Sequence, residues 1–306
     1  MIRPIVALLS AAVVAAPLSA QVGVRASTSE QAEPSNEEIV VIGEKKKIAQ
    51  ALKNLIEPSG KEQYARFEDR ICPIVIGMPR DWTGPLLKMV RENIEKAGAK
   101  LEEPGCKPTA LAIFIDQPRE LVSAMHKEMP DFFGMTPREY DTFLAGSAPV
   151  WSWHVVDTRD RDGTQLAQGS IDGNDFGVVK NASATRLYSN VREDMLAGFV
   201  VVDRQQTVGK TLRQLADLVT MHLMLDVRAG AGARDRSSIL SLFESRAESE
   251  LPPPSMSNFD RGALAGFYGQ RENNRSARQQ RINIAQAIKD GAGQEDTDQS
   301  NKGDDK

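Results

Sequence analysis

TLRQLADLVTMHLML, Thr211–Leu225, follows directly on a second informative run, LAGFVVVD, Leu196–Asp203. The earlier run is short, apolar and rich in valine, which predicts a buried strand. In the later one Leu212, Leu215, Ala216, Val219 and Leu223, with Leu218 beside them, recur at helical spacing. That spacing gathers them on one side of an amphipathic helix. Arg213, Gln214 and Asp217 then fall on the opposite, solvated face. A strand feeding a helix in this way is the building unit of a mixed α/β domain.

The same alternation extends upstream. ICPIVIGM, Ile71–Met78, reads as a strand, and Gly84–Lys100 as a helix carrying Leu86, Leu87, Val90, Ile94 and Ala97 and stopped by Gly98. ALAIFIDQ, Ala110–Gln117, is a buried strand, and Pro118 opens a helix that runs to Met129. Thr136 with Glu139 three residues on forms a capping-box pattern for another helix. APVWSWHVVDT, Ala148–Thr158, alternates as a strand. It is expected to turn at Arg159–Gly163 into Thr164–Ile171 as a hairpin. The order is β-α-β-α-α-β-β-β-α with a helical C-terminal portion. The fold class expected is α/β (α+β), a mixed sheet with packed helices.

The ends divide the chain further. Residues 1–20 carry one cation, Arg3, an apolar run Ile5–Ala16 and the small pair Ser19-Ala20, the pattern of a cleaved secretory signal peptide. Residues 21–63 read as a flexible leader with a short strand or helix, and within it EEIVVIGEKKK, Glu37–Lys47, is an apolar run bracketed by charge and expected as an edge strand or linker. A single globular domain is assigned to 64–270. Residues 271–290 read as an amphipathic, basic outer helix with Ile282, Ile284, Ala285 and Ile288 as its stripe, and 291–306 as a disordered acidic tail.

Composition excludes some classes. The formal net charge is −4 and becomes one unit more negative once Arg3 is removed. Nucleic-acid binding, which draws its affinity from phosphate neutralisation, is a poor match. Cys72 and Cys106 are the only cysteines. An exported chain would join them in a disulfide closing a loop of about 35 residues and contributing about 3–4 kcal/mol.

Three motifs are set aside. Gly209-Lys210-Thr211 copies the end of a phosphate-binding loop, but Arg204 stands where its first glycine is needed. Thr158–Gly163 copies part of a calcium loop, but Thr158 and Gly169 replace its first and last carboxylates. His126, His154 and His222 are scattered through the chain and show no metal-binding spacing.

The segment around Thr211–Leu225 resembles the active-site region of zincin metallopeptidases, whose helix carries H-E-x-x-H. Two histidines four apart share a face and hold zinc, and the glutamate acts on the bound water. Here those positions are Arg213, Gln214 and Asp217, and the third ligand position of the extended form is Leu223. His222 misses it by one residue, about 100° round the helix. Ser238-Ile239-Leu240 is similar to the Ser-Ile-Met turn beneath the metal. Met256–Gly269, with Ser257, Asp260, Leu264, Phe267, Tyr268 and Gly269, resembles the closing helix of matrixin-like peptidases. More broadly the chain resembles uncharacterised exported proteins of Gram-negative bacteria. The resemblance implies a peptidase fold that has lost its metal ligands. The competing reading is an unrelated α/β fold in which Arg213, Gln214 and Asp217 are only a solvated face.

The function expected is therefore non-catalytic, with no cofactor. The protein would be periplasmic or secreted and would bind a peptide or an envelope protein, with Leu196–Asp203 as the candidate edge strand for capture by strand addition. Glu37–Glu44 also resembles a short segment near the mature N-terminus of TonB-dependent receptors, which suggests weak outer-membrane association, although no barrel of strands follows. The alternative is an active metal-dependent hydrolase in which Asp217, His222 and another histidine meet in space.

Overall fold

The computed structural model describes residues 36–59, 63–146, 148–180, 182–183, 188–271 and 273–300. The expected signal peptide, residues 21–35 of the leader and residues 301–306 of the tail lie outside them. The elements, in chain order, begin with helix α1 (Asn36–Leu55), strand β1 (Pro73–Ile76), helix α2 (Arg80–Lys96) and strand β2 (Ala110–Ile115). Helices α3 (Pro118–Glu128) and α4 (Pro137–Ala145) come next. They are followed by strands β3 (Val150–Asp160), β4 (Ala167–Ile171), β5 (Asn174–Val178) and β6 (Val191–Asp203). Four helices end the chain: α5 (Leu212–Met224), α6 (Ala231–Arg234), α7 (Asn258–Tyr268) and α8 (Ala277–Ser300).

Four strands make the main sheet in the order β1-β2-β6-β3. β1, β2 and β6 run parallel, and β3 lies antiparallel to β6 at the edge, so the sheet is mixed. Alternation along β6 sorts its side chains between two cores. Val200 and Val202 face α2 and α5, where Leu86, Val90, Ile94, Leu215 and Val219 bury against Ala110, Ala112 and Phe114. Phe199 and Val201 face the other way, against α3, α4 and the turn Pro130–Phe133. There Trp153 lies stacked between Phe133 at 4.5 Å and Phe199 at 4.9 Å. α7 and α8 pack on each other and α1 lies along α8, closing the first core with Leu52, Leu55, Phe267 and Ile284. Cys72 and Cys106 form a disulfide that ties the start of β1 to the loop before β2. No helix among the described residues is long and apolar enough to cross a membrane.

Several expectations are corrected. Glu37–Lys47 is helical, within α1, rather than a strand, because the apolar positions that reach the core (Leu52, Leu55) lie downstream of it at helical spacing. The hairpin expected between Ala148–Thr158 and Thr164–Ile171 forms only next to its turn, where Asp160 N donates to Thr164 O and Gln165 bridges Arg159 antiparallel. β3 pairs along its length with β6, and β4 pairs with β5 in a separate two-stranded ribbon. Leu196–Asp203 is not an edge, since β6 begins at Val191 and lies between β2 and β3. α8 starts at Ala277 and continues to Ser300, into the stretch expected as a disordered tail. Ile284 and Ala285 are buried, whereas Ile282 is exposed.

Candidate functional site

Helix α5 begins with a capping box that involves one of the three metal-position residues. Thr211 Oγ1 accepts from Gln214 N, and Gln214 Oε1 accepts from Thr211 N at 2.9 Å. The other end of the Gln214 amide donates to the carbonyl of Pro253 at 2.7 Å. Gln214 thus holds the helix start to the segment that leads into α7, and none of its polar atoms is left to face a substrate. Thr211, the last residue of the phosphate-loop look-alike, is the helix cap. Arg204 pairs with Asp116.

Asp217 is buried, with 3 % of its surface exposed. Its Oδ1 accepts from Asn93 Nδ2 of α2 at 2.8 Å, and its Oδ2 from Met256 N at 2.8 Å. Arg213, one turn earlier, donates to the same Oδ1 at 3.3 Å and to Asn93 Oδ1 at 3.3 Å. Arg213 and Asp217 therefore do share a helix face, as the i,i+4 spacing requires, but as an ion pair closed by Asn93. The solvated-face reading is corrected here: Gln214 and Asp217 are both buried. Leu223, at the third ligand position, is buried in the apolar core.

The turn Ile239–Ser241 lies against α5, with Ser238 as its cap. It is held by Asp260 of α7: Ser238 Oγ donates to Oδ1 at 2.7 Å, and Ile239 N to Oδ2 at 2.9 Å. Burial pushes the Asp260 carboxyl above its ordinary range, opposed by these donors and by Ser257. Ile239 and Leu240 are buried in the first core. Tyr268, at the end of α7, donates its hydroxyl to the carbonyl of Met224 at 2.8 Å. The helix, turn and closing helix are thus one hydrogen-bonded block.

A second polar cluster, of which sequence named His154 and His222 but not Ser152, lies where β3 crosses the C-terminal end of α5. Ser152 and His154 alternate with the tryptophans of β3 and so face α5. Ser152 Oγ is 2.9 Å from His222 Nδ1, in hydrogen-bond contact. His154 Nε2 is 3.0 Å from the carbonyl of Leu223. A carbonyl only accepts, so Nε2 carries the proton and the buried Nδ1 is left without a partner. Gly198 stands opposite His154 on β6. A Cβ there would come within 3.2 Å of His154 Cδ2 and 3.1 Å of the Leu223 carbonyl, so glycine makes room for the ring. Burial lowers the His154 pKa, partly offset by Asp226 and by backbone acceptors. Burial also pushes His222 down to about 3, with His154 adding to the effect. Asp226 is raised by burial, against His154 and Arg228. Both imidazoles are neutral at pH 7.

Among the described residues no strand pairs with the outer side of β3 at Val150–His154. Gly198 N donates to Thr109 O, towards β2, whereas Asp203 N donates to Pro149 O, towards β3. Alternation along the antiparallel ladder then turns the N–H and C=O groups of Val150, Ser152 and His154 outward. A register shift at Val155/Val156 ends this run.

Asp217 and His222 are not brought together: Asp217 reaches α2 and Met256, and His222 reaches β3. His222 bonds Ser152, and His154 bonds the carbonyl of Leu223, the residue after His222. Among the described residues no group of three or more His, Cys, Asp or Glu side chains is arranged to hold a metal ion. Asn93 had a sequence signal, since it falls on the Leu86–Val90–Ile94 face of α2 as a polar residue in an apolar stripe. The Ser152–His222 contact had none, because it joins positions 70 residues apart. No family model, curated protein or solved structure matches this chain.

Proposed function

We propose that this chain is a non-catalytic binding protein on a degenerate peptidase-like frame, and that it captures an extended peptide segment along the outer edge of β3. The observation that carries this reading is the open run of backbone groups at Val150, Ser152 and His154, on the edge strand that crosses α5. Main-chain pairing at such an edge supplies affinity largely independent of sequence. The degenerate-site part is supported by α5 itself. A cation occupies one ligand position, a carboxylate with both oxygens hydrogen-bonded another, and an amide held at both ends replaces the base. We place the protein in an oxidising compartment, periplasmic or extracellular, on the Cys72–Cys106 bond and the leader pattern of residues 1–20.

The test is selection of binders from a library of unstructured peptides, followed by amide hydrogen exchange with and without a selected peptide. The Ser152 and His154 amides should gain protection on binding. Protection confined to other elements would overturn the edge assignment. Elemental analysis of protein purified without chelator tests the non-catalytic part. About one zinc per chain that disappears in Asp217→Asn would replace this reading with an active metallopeptidase.

A further inference from the structure

β4 and β5 form a ribbon inserted between β3 and β6: Gln165, just before β4, bridges Arg159 of β3, and beyond that bridge neither strand packs substantially on any helix or on the main sheet among the described residues. Asp172 and Gly173 both take positive φ, 53° and 78°, which makes the two-residue turn that matches ribbon twist. One face is apolar and exposed, with Ile171, Phe176 and Val178 at 64 %, 42 % and 37 % of full exposure and Ala167 opposite Val178. The Phe176 ring lies over Gly169, where a Cβ would come within 2.7 Å of it. A two-stranded ribbon is marginal in water without a third strand or a packed face. Among the described residues nothing supplies either.

The two edges of the ribbon differ. β5 carries Asp175, whereas β4 reads Ala-Gln-Gly-Ser-Ile, with no charge, proline or bulge. Natural edge strands carry such devices to prevent association, and β4 lacks them. The tight turn makes Ile171–Asn174 and Gly169–Phe176 the mutually bonded pairs, so the backbone groups of Gln168 and Ser170 point outward.

We propose that β4 pairs antiparallel with β4 of a second copy of this chain, about a two-fold axis at Gly169. Residue chemistry in that register favours a copy over an unrelated strand. Gln168 faces the partner's Ser170 in a mutually bonded pair, an amide against a hydroxyl, and this happens twice by symmetry. Ala167 faces the partner's Ile171, small against large. No like charges meet, and the two apolar faces join on one side of a four-stranded sheet ordered β5-β4-β4-β5.

The experiment is sedimentation of the purified full chain over a concentration series, beside Gln168→Lys/Ser170→Lys. Each lysine in that variant faces a partner lysine directly, and the dimer should weaken about tenfold or more. Unchanged circular dichroism and thermal midpoint would show the body intact. The register is tested by mixing Gln168→Cys with Ser170→Cys under mild oxidation. A cross-linked heterodimer should form on mixing in higher yield than from either variant alone, because only unlike positions lie opposite. A chain that stays monomeric at every concentration overturns the proposal. A dimer insensitive to the lysines, with no gain in cross-linking on mixing, overturns it as well.

Discussion

Asn93 of α2 donates to Oδ1 of Asp217 on α5 at 2.8 Å, and that bond joins the two helices that cover one face of the sheet. A carboxylate at a position where a peptidase would hold metal thereby becomes a structural clamp. Replacing Asn93 with Ala leaves a buried carboxylate oxygen without its best donor, which costs about 1–3 kcal/mol. Urea denaturation of Asn93→Ala measures it. A change within the roughly 0.5 kcal/mol typical of surface substitutions would mean that Asp217 is not held in this way.

Acid should loosen the β3–α5 contact. His154 and His222 have pKa values lowered by folding, so the unfolded chain binds more protons below the ordinary histidine range. Their contribution to stability is complete above about pH 6.5 and declines as pH falls toward the folded values. Asp226 and Asp260 act in the opposite sense, since burial raises them and lower pH relieves that cost. Denaturation midpoints at pH 7, 6 and 5 should therefore fall less steeply in His222→Asn than in the parent. Equal slopes would show that His222 does not contribute to the acid limb.

Gly198→Ala tests the packing around His154. The added carbon meets the Leu223 carbonyl and the His154 ring, and overpacking of this kind costs about 1–3 kcal/mol. The loss should shrink when His154→Ala is combined with it, because one obstacle is then gone. Strict additivity in that cycle would separate the two residues.

Reduction of Cys72–Cys106 should lower stability by about 3–4 kcal/mol on the chain-entropy account, since the bond closes a 34-residue separation. Cys72→Ala/Cys106→Ala should reproduce most of the loss in thermal denaturation. A double variant as stable as the parent would assign the bond no folding role.

Residues whose own periodicity carried the information were legible in sequence. Val200 and Val202, Leu215 and Val219, and Leu86 and Val90 lie where their spacing put them. The start of α1 was misread, because the β-branched cluster Val40–Ile42 imitates a strand. The hairpin was legible only next to its turn, because the chain has two Asp-Gly pairs. Asp172-Gly173 closes a two-residue loop, whereas Asp162-Gly163 lies in a turn fixed by Asp160. The pairing of β3 with β6 is a long-range choice that neither strand states by itself, and with it went the identity of the edge. At the candidate site the spacing of Arg213 and Asp217 was readable, but the partner that decides what Asp217 does, Asn93, came from another helix.

The position of the β4–β5 ribbon has a consequence for how this protein can vary. β3 and β6 are already opposite one another at Asp160 and Val191, so the sheet is complete before the chain departs into the ribbon. The β4–β5 stretch between them is a detachable cassette, whereas Tyr188 and Ser189 are held to the body by Arg275 and Asn274. A two-residue Asn-Gly connection could close the β3–β6 ladder in its place. Lineages carrying this body could lengthen, trade or discard the cassette and change what they assemble with, while the block formed by α5, the Ile239–Ser241 turn and α7 stayed as it is.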